Sequence, residues 1–342
     1  MSGEKILVTG SSGFIGGYLV EELLQNDWKV VGLDNFSKYG RATKSYDRHP
    51  HYQFREGDAK DPQLLRELLA DCDHFLASAA MIGGITYFHE FAYDLLAENE
   101  RIMASSFDAA IHAFKNHKLK KITVLSSSMV FESTSIYPTP EGAELKSPPP
   151  KSTYGFQKLA CEYFARGARL QYRLPYTIVR PFNCAGIGEK RALTDHEALS
   201  GNIRLAMSHV IPDLVQKTLK GQDPLHILGN GNQIRHYTYG GDLARGIRLA
   251  IEHPAAINND FNLSTAQSTT VLELAQLIWE KINLGKPFRY VSDKPFEHDV
   301  QKRVPDISKA RALLCFEAKT PLTAILDEVI PWIREEIKKG TI

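Results

Sequence analysis

The chain has 342 residues, 43% hydrophobic and 24% charged, enough for a sizeable core in two domains of about 150 residues each. Its 41 basic and 40 acidic residues leave a net charge of +1, which argues against nucleic acid or any partner held by bulk attraction. Four scattered cysteines without a C-x-x-C exclude a disulfide framework and a zinc ribbon, and no apolar run reaches the roughly 18 residues of a membrane span. The opening MSGEKILVTG lacks a long apolar segment, so no signal peptide is expected and the chain reads as cytoplasmic.

Short β-branched runs alternate with helical patterns through the first half. Residues 6–8 read as a buried strand, after which Ile15, Leu19, Val20, Leu23 and Leu24 repeat at helical spacing. Further strands are predicted at 28–33, 52–55, 74–77, 122–125 and 176–179. Helices are predicted at 62–69, with Pro62 in the first turn, and at 91–114 and 154–170. Such alternation builds a parallel sheet covered on both faces, an α/β doubly wound fold. After Arg180 the pattern loosens. Residues 187–202 read as a loop or lid. A helix at 210–219 follows, then strands at 225–228 and 234–239 around the turn Gly229-Asn230-Gly231-Asn232. Helices at 242–252, 271–282 and 321–338 complete a smaller, mixed C-terminal portion.

Gly10-Ser11-Ser12-Gly13-Phe14-Ile15-Gly16 falls between the first strand and the first helix. Glycines there let the backbone approach a pyrophosphate, and the helix N-terminus offers free N–H groups and the positive end of its dipole. Asp34 ends the second strand, where a carboxylate accepts from both adenosine ribose hydroxyls and repels a 2′-phosphate. NAD is therefore expected, with Lys38 and Arg41 keeping NADP as the alternative. Residues 1–182 are expected to form an NAD-binding Rossmann domain, with a strand and helix returning from about 234–265. Residues 183–342 are expected to be mostly a substrate-binding domain.

Tyr154 and Lys158 stand at i and i+4 of a helical pattern, hence on one face. An ammonium beside a phenol favours the phenolate, which can take a proton from a sugar or alcohol hydroxyl. Tyr290 and Lys294 share the spacing but lie outside the strand–helix repeat, with Pro295 following, and read as surface. Ser126, Ser127 and Ser128 end the strand before the Tyr154 helix, at the edge where doubly wound sheets bind ligands. At least one is expected to hold a substrate hydroxyl. The 12 histidines show no metal-ligand spacing, so no metal is expected. Cys184 reads as a packed small side chain, and Glu132 as a solvated loop charge.

Together these residues resemble the extended short-chain dehydrogenase/reductase superfamily, in its NAD-dependent nucleotide-sugar epimerase/dehydratase family (UDP-glucose 4-epimerase-like). The likeness covers most of the chain. It rests on Gly10, Gly13 and Gly16, Leu33-Asp34-Asn35, Gly57-Asp58, Leu76-Ala77-Ser78-Ala79, Asn99, the run from Ser126 to Phe131, Tyr154 with Lys158, and Arg180-Pro181-Phe182-Asn183. Ile211-Pro212, Arg235 and Asp242 match the C-terminal landmarks. The resemblance implies that Phe14, Ile15, Asn35, Asp58, Ala59, Leu76, Ala77, Ser78, Ala79, Asn99, Ser126 and Pro181 join the glycines, Asp34, Tyr154 and Lys158 around NAD, with Asp58 at the adenine. It also implies that Ser127, four residues before Phe131, holds the substrate O4. Ser128, Met129 and Ile211 would lie against the substrate, and Asn183 and Arg235 would bind the diphosphate of a nucleotide sugar.

Several departures narrow the reading. Sugar 4,6-dehydratases of the family carry an Asp-Glu pair where this chain has Ser128 and Met129, and the loop also lacks the cysteine of 3,5-epimerases. The family's second phosphate arginine precedes a Gly-Asp near position 299; here the residues are Phe296-Glu297-His298-Asp299, and Arg303 is a candidate replacement. Met81-Ile82-Gly83-Gly84 resembles a loop of GDP-sugar reductases and epimerases, or is a plain flexible turn. The reading is an NAD-dependent nucleotide-sugar epimerase acting at C4 through a transient 4-keto sugar. Tyr154 takes the O4 proton, Ser127 polarises O4 and Lys158 holds the nicotinamide ribose. A dehydratase, a keto-sugar reductase and an idle nucleotide-binding module are the alternatives. Family members often pair through two long helices per subunit, so a homodimer is expected through 91–114 and 154–170, with Phe156, Ala160, Tyr163 and Phe164 as an apolar face. No nucleic-acid or membrane partner is expected.

Overall fold

The computed structural model describes residues 3–82, 91–189, 198–200, 203–205, 209–295 and 299–342. Gly83, Gly84, much of the anticipated 187–202 loop, and Phe296, Glu297 and His298 lie outside the described residues. In the first half the strands are β1 (Lys5–Thr9), β2 (Lys29–Asp34), β3 (Tyr52–Glu56), β4 (His74–Ala77), β5 (Lys121–Leu125) and β6 (Tyr176–Pro181). Helices α1 (Phe14–Gln25), α2 (Pro62–Leu69), α3 (Ala92–Asn116) and α4 (Thr153–Tyr172) alternate with them. Strands β4 and β5 are buried at every position, as expected where helices cover both faces of a parallel sheet. Local chemistry starts the helices. Asp61 accepts from the Gln63 and Leu64 N–H groups at the head of α2, with Pro62 at the first helical position.

The second half holds β7 (Cys184–Ala185), β8 (Ala198–Ser200), β9 (Ile203–Leu205), α5 (Val210–Leu219), β10 (Leu225–Leu228), β11 (Ile234–Arg235), β12 (Thr238–Tyr239), α6 (Gly240–Glu252), β13 (Asn259–Leu263), β14 (Thr269–Thr270), α7 (Val271–Ile282), β15 (Tyr290–Asp293), α8 (Ser308–Leu314) and α9 (Leu322–Lys339). The main sheet has the order β13-β6-β5-β4-β1-β2-β3 and is parallel throughout. Its connections reverse direction between β1 and β4. Ligands of doubly wound sheets lie in the crevice beyond the carboxyl ends of the strands at such a point.

The three largest apolar clusters among the described residues surround this frame. Leu19, Leu23 and Ile247 pack α1 and α6 on one face of the sheet. Leu65, Phe107 and Ala165 pack α2, α3 and α4 on the other. Leu214, Ile278 and Ile325 join α5, α7 and α9 around β10, apart from the sheet. The single strand anticipated at 234–239 is two short ones. β11 pairs antiparallel with β14, and β12 pairs parallel with β7. The consecutive side chains of His236 and Tyr237 are both buried, which the alternation of one half-exposed strand would not allow.

Candidate active site

The glycine loop runs from β1 into α1 at the switch point. Gly10 has φ +73°, and a Cβ on it would lie 3.0 Å from Ala79 Cα. A Cβ on Gly16 would lie 2.0 Å from the Gly10 carbonyl oxygen, so glycine alone lets α1 start against the loop. Gly13 caps α1 without a side-chain bond, which leaves first-turn N–H groups for an anion. Asp34 Oδ2 accepts from the Ser12 N–H at 2.9 Å, and Oδ1 from the Phe36 N–H at 2.8 Å. These bonds hold the carboxylate at the lip of the loop and leave it lone pairs for ribose hydroxyls. The Arg41 guanidinium pairs with Glu56 and lies 4.8 Å from the Phe36 ring centroid. The Lys38 ammonium lies 4.8 Å from the Tyr39 ring centroid. A 2′-phosphate would thus meet two carboxylates, Asp34 and Glu56, and cations already engaged. This donor set fits NAD.

Other residues anticipated around the cofactor sit along the same edge, several with their polar atoms already bonded. Asn35 Oδ1 accepts from the Ser37 N–H, and Asp58 Oδ1 from the Lys60 N–H. Ser78 donates its hydroxyl to the Thr9 carbonyl at 2.5 Å, and the Ala79 N–H reaches Thr9 Oγ1 at 3.2 Å, which ties β4 to β1. Leu76, Ala59 and Ala77 are core side chains, and Pro181 is buried at the end of β6. Phe14 packs its ring edge on Tyr18. Asn99 is 1% exposed and binds Met81: Oδ1 accepts its N–H at 2.7 Å, and Nδ2 donates to its carbonyl at 2.8 Å. Its amide thereby shapes the loop beside the crevice.

Tyr154 lies in the first turn of α4, buried against Leu95 and Met129. Lys158 is buried one turn on. Its Nζ donates to the Leu125 carbonyl at 3.1 Å, 5.9 Å from the Tyr154 ring centroid. Ser152 caps the helix by accepting from the Gly155 N–H at 3.0 Å. Glu132 Oε2 in turn accepts from the Ser152 N–H at 2.9 Å and hydroxyl at 2.8 Å. Glu132 is therefore a half-buried support of this helix, not a solvated loop charge; its partner Ser152, an N-cap residue two positions before Tyr154, was the readable signal.

The three serines separate. Ser126 turns inward and donates its hydroxyl proton to Glu162 Oε1 at 2.7 Å. Ser128 is buried at the start of a 3₁₀ turn, Ser128–Phe131. Ser127 is half-buried and caps that turn by accepting from the Met129 N–H at 3.2 Å. Tyr290 is exposed on β15, as a surface residue should be. Cys184 packs beside α1, and burial pushes its thiol well above its ordinary range.

At the C-terminal side, Arg235 donates to the Ile234 carbonyl at 2.9 Å and lies 3.3 Å from Asp299. Beside it, the Arg303 backbone N–H donates to the Ile234 carbonyl. Arg303 Nη1 is 3.5 Å from Asn183 Oδ1, while its buried Nε has no partner among the described residues. Enclosure, and then the nearby Arg235, pull the Arg303 guanidinium down to about 9 against Tyr154, Asp299 and Glu132. Asn183 adopts φ +39°, and its buried Nδ2 is also without a partner among the described residues. Ile211, anticipated against the substrate, is instead 3% exposed in the α5 cluster, because its position on the apolar stripe of α5 turns it inward.

A glycine loop fitted to a dinucleotide, at the switch point of a doubly wound sheet with a Tyr–Lys pair at its carboxyl edge, defines an NAD-dependent enzyme. Residues 6–264 match the model of the NAD dependent epimerase/dehydratase family, and the chain belongs to that family. It is 26% identical to UDP-glucose 4-epimerase of Lactobacillus helveticus over 330 residues, 92% of each chain. It is 26% identical to UDP-N-acetyl-alpha-D-glucosaminuronate decarboxylase of Bacillus cytotoxicus over 340 residues, 97% of this chain and 98% of that one. Among solved structures, UDP-glucuronic acid 4-epimerase from Bacillus cereus, in complex with UDP-glucuronic acid and NAD, superposes with a TM-score of 0.80 at 27% identity, covering 97% of this chain and 99% of that one. No helix among the described residues is long and apolar enough to cross a membrane.

Proposed function

We propose that this enzyme inverts C4 of a nucleoside-diphosphate sugar. The observation that carries the reading is Lys158 bonded to Leu125 and Tyr154 packed on Met129, the residues two before and two after Ser127, with only Ser128 and Met129 where an eliminating acid and base would stand. NAD, when bound, supplies the hydride acceptor and donor for C4. Tyr154 takes the O4 proton as C4 is oxidised and returns it after the ring turns over. Ser127 hydrogen-bonds O4 and keeps it in line with the phenol. Lys158, held by the Leu125 carbonyl, keeps positive charge next to that phenol and reaches the nicotinamide ribose. Asn183 and Arg235 hold the diphosphate, and the portion from 183 onward holds the substrate over the Rossmann sheet.

The product should have the mass of its substrate and the inverted configuration at C4. Deuterium at C4 should be retained, and solvent deuterium should not enter at C5. NMR and mass spectrometry of products from a panel of UDP-, GDP-, dTDP- and CDP-sugars test this. Loss of water, loss of CO₂ or solvent label at C5 would move the enzyme to a dehydratase, decarboxylase or 3,5-epimerase reaction.

The homodimer belongs to the same proposal. Phe156 and Tyr163 are 48% and 58% exposed on the outer side of α4, and Leu170 continues their row at the same seven-residue step. That row is an apolar stripe in need of cover. Phe164 does not belong to it, since its ring stacks on Phe107 inside the domain at 5.7 Å. Light scattering at micromolar concentration should report a dimer, and Tyr163→Glu should shift it toward monomer.

A further inference from the structure

Tyr18 stands on α1 one turn after Phe14, at the junction between the Rossmann sheet and the portion that begins at 183. Its hydroxyl oxygen accepts from the Ile187 N–H at 2.9 Å. Its ring fills two notches left by missing side chains. A Cβ on Gly186 would lie 2.3 Å from the hydroxyl oxygen, and a Cβ on Gly240 would lie 2.5 Å from the ring. The ring also meets Phe14 and Tyr239 edge-on, at centroid distances of 5.8 and 5.7 Å. Burial, and then Tyr239, hold the phenol far above its ordinary range. The group is therefore a neutral hydrogen-bond partner and not a proton carrier.

The contacts of Tyr18 lead into the second half of the chain by two routes. Ile187 follows β7, which pairs with β12, and the Asn183 carbonyl accepts from the Thr238 N–H at 3.0 Å. Glu189, just beyond Ile187, pairs with His209 at the head of α5. On the other route Tyr239 donates its hydroxyl to Glu328 of α9 at 2.9 Å. Both α5 and α9 belong to the apolar cluster around β10. We infer that Tyr18 is a positioning residue, which seats the strand pair β7 and β12, flanked by Asn183 and Arg235, against the helix that faces the cofactor pyrophosphate. It thereby sets the affinity for the nucleoside diphosphate of the substrate. The inference rests on the nucleotide-sugar reading above, in which Asn183 and Arg235 hold that diphosphate. A strand seated only part of the time binds with an affinity reduced by the seated fraction. Once the ligand has drawn the strand into place, chemistry at C4 proceeds from the same geometry. Tyr18 therefore governs KM, whereas Tyr154 governs kcat.

Tyr18→Phe keeps the ring in both notches and removes the hydroxyl. The full chain, loaded with NAD, is titrated calorimetrically with UDP, GDP, dTDP and CDP. The diphosphate that the wild-type protein binds most tightly should bind about three- to ten-fold more weakly to the variant, the effect of one neutral hydrogen bond. Hydrogen exchange read by mass spectrometry should show the amides of 184–189 exchanging about three- to ten-fold faster, with α1 and the NAD affinity unchanged. For the nucleotide sugar that the protein turns over, KM should rise by about the same factor while kcat changes less than about two-fold. Unchanged affinity for the nucleoside diphosphate would make Tyr18 a packing residue and overturn the proposal, whatever the exchange rates or the melting temperature. So would a loss confined to NAD, or a fall in kcat at constant KM. Binding of none of the four diphosphates at millimolar concentration would overturn it together with the nucleotide-sugar reading. Diphosphate binding that depends on Tyr18, without inversion at C4, would overturn the 4-epimerase reading alone and leave this one standing.

Discussion

Replacing Tyr154 by phenylalanine is expected to lower turnover by about two to four orders of magnitude while fold and NAD binding survive, the usual effect of removing a positioned acid–base group. The ring is 7% exposed and packs on Leu95 and Met129, and phenylalanine keeps those contacts. What is lost is the phenol oxygen, the group placed to exchange a proton with O4. Ser127 cannot replace it, because an unassisted serine hydroxyl is a poor base near neutral pH. Lys158 cannot either, since its ammonium is held on the Leu125 carbonyl. Tyr290→Phe is the control, with the same residue type and the same spacing to a lysine, on an exposed strand. Product formation followed by NMR, with NAD retention read by absorbance, distinguishes the two variants. Equal turnover in both would show that the active site lies elsewhere.

The site was more legible in the sequence than the substrate end was, for physical reasons. The glycine loop, Asp34 and the Tyr154–Lys158 pair lie within short stretches whose geometry follows from strand-to-helix turns and helical spacing. Glu132 was misread, and the inward bond of Ser126 was not legible, because each depends on a distant partner. Ser126 bonds Glu162, 36 positions on, and Glu132 bonds Ser152, 20 positions on. Strand β13 fell inside the segment expected to return from about 234–265 but received no bounds of its own, because Asn259, Asp260 and Asn262 break its apolar run. Asn262 can be buried there only because its amide donates to the Thr139 and Asp306 carbonyls. Ile211 was assigned by family position, whereas the apolar stripe of α5 decides where it points. Arg303 stood out in sequence only as a possible substitute; its enclosure beside Arg235 is a property of folding.

Arg180→Met should give the largest loss of stability, about 3–5 kcal/mol, because it strips one partner from a buried ionic cluster. Arg180 is 0% exposed. Its Nε and Nη2 donate to the two oxygens of Glu162 at 2.7 Å each, and Nη1 donates to Asp260 at 2.7 Å. Glu144 lies 3.1 Å from Nη2, and the Phe131 ring centroid is 5.1 Å away. Burial alone would lower the guanidinium; Glu162, Asp260 and Glu144 outweigh it and hold Arg180 above its ordinary value. Burial would likewise raise the Asp260 carboxyl, but Arg180 and Lys309 hold it below the usual range. Without Arg180 the cations left in the cluster are Arg166 and Lys309, against three carboxylates. A buried carboxyl that loses its cation has its folded pKa raised above the unfolded value of about 4. It destabilises the fold above that value and is relieved as it protonates. The stability gap to the wild-type protein should therefore narrow as pH falls from about 7 to about 5. Thermal melts at the two pH values read it directly. The same cluster joins β5 through Ser126 to α4 through Glu162, the elements that carry Ser127 and Tyr154. The folded fraction of the variant should accordingly lose turnover beyond its loss of stability, since the serine and the phenol no longer share one fixed frame. An unchanged melting temperature with full activity would mean that the cluster neither stabilises the fold nor sets that spacing.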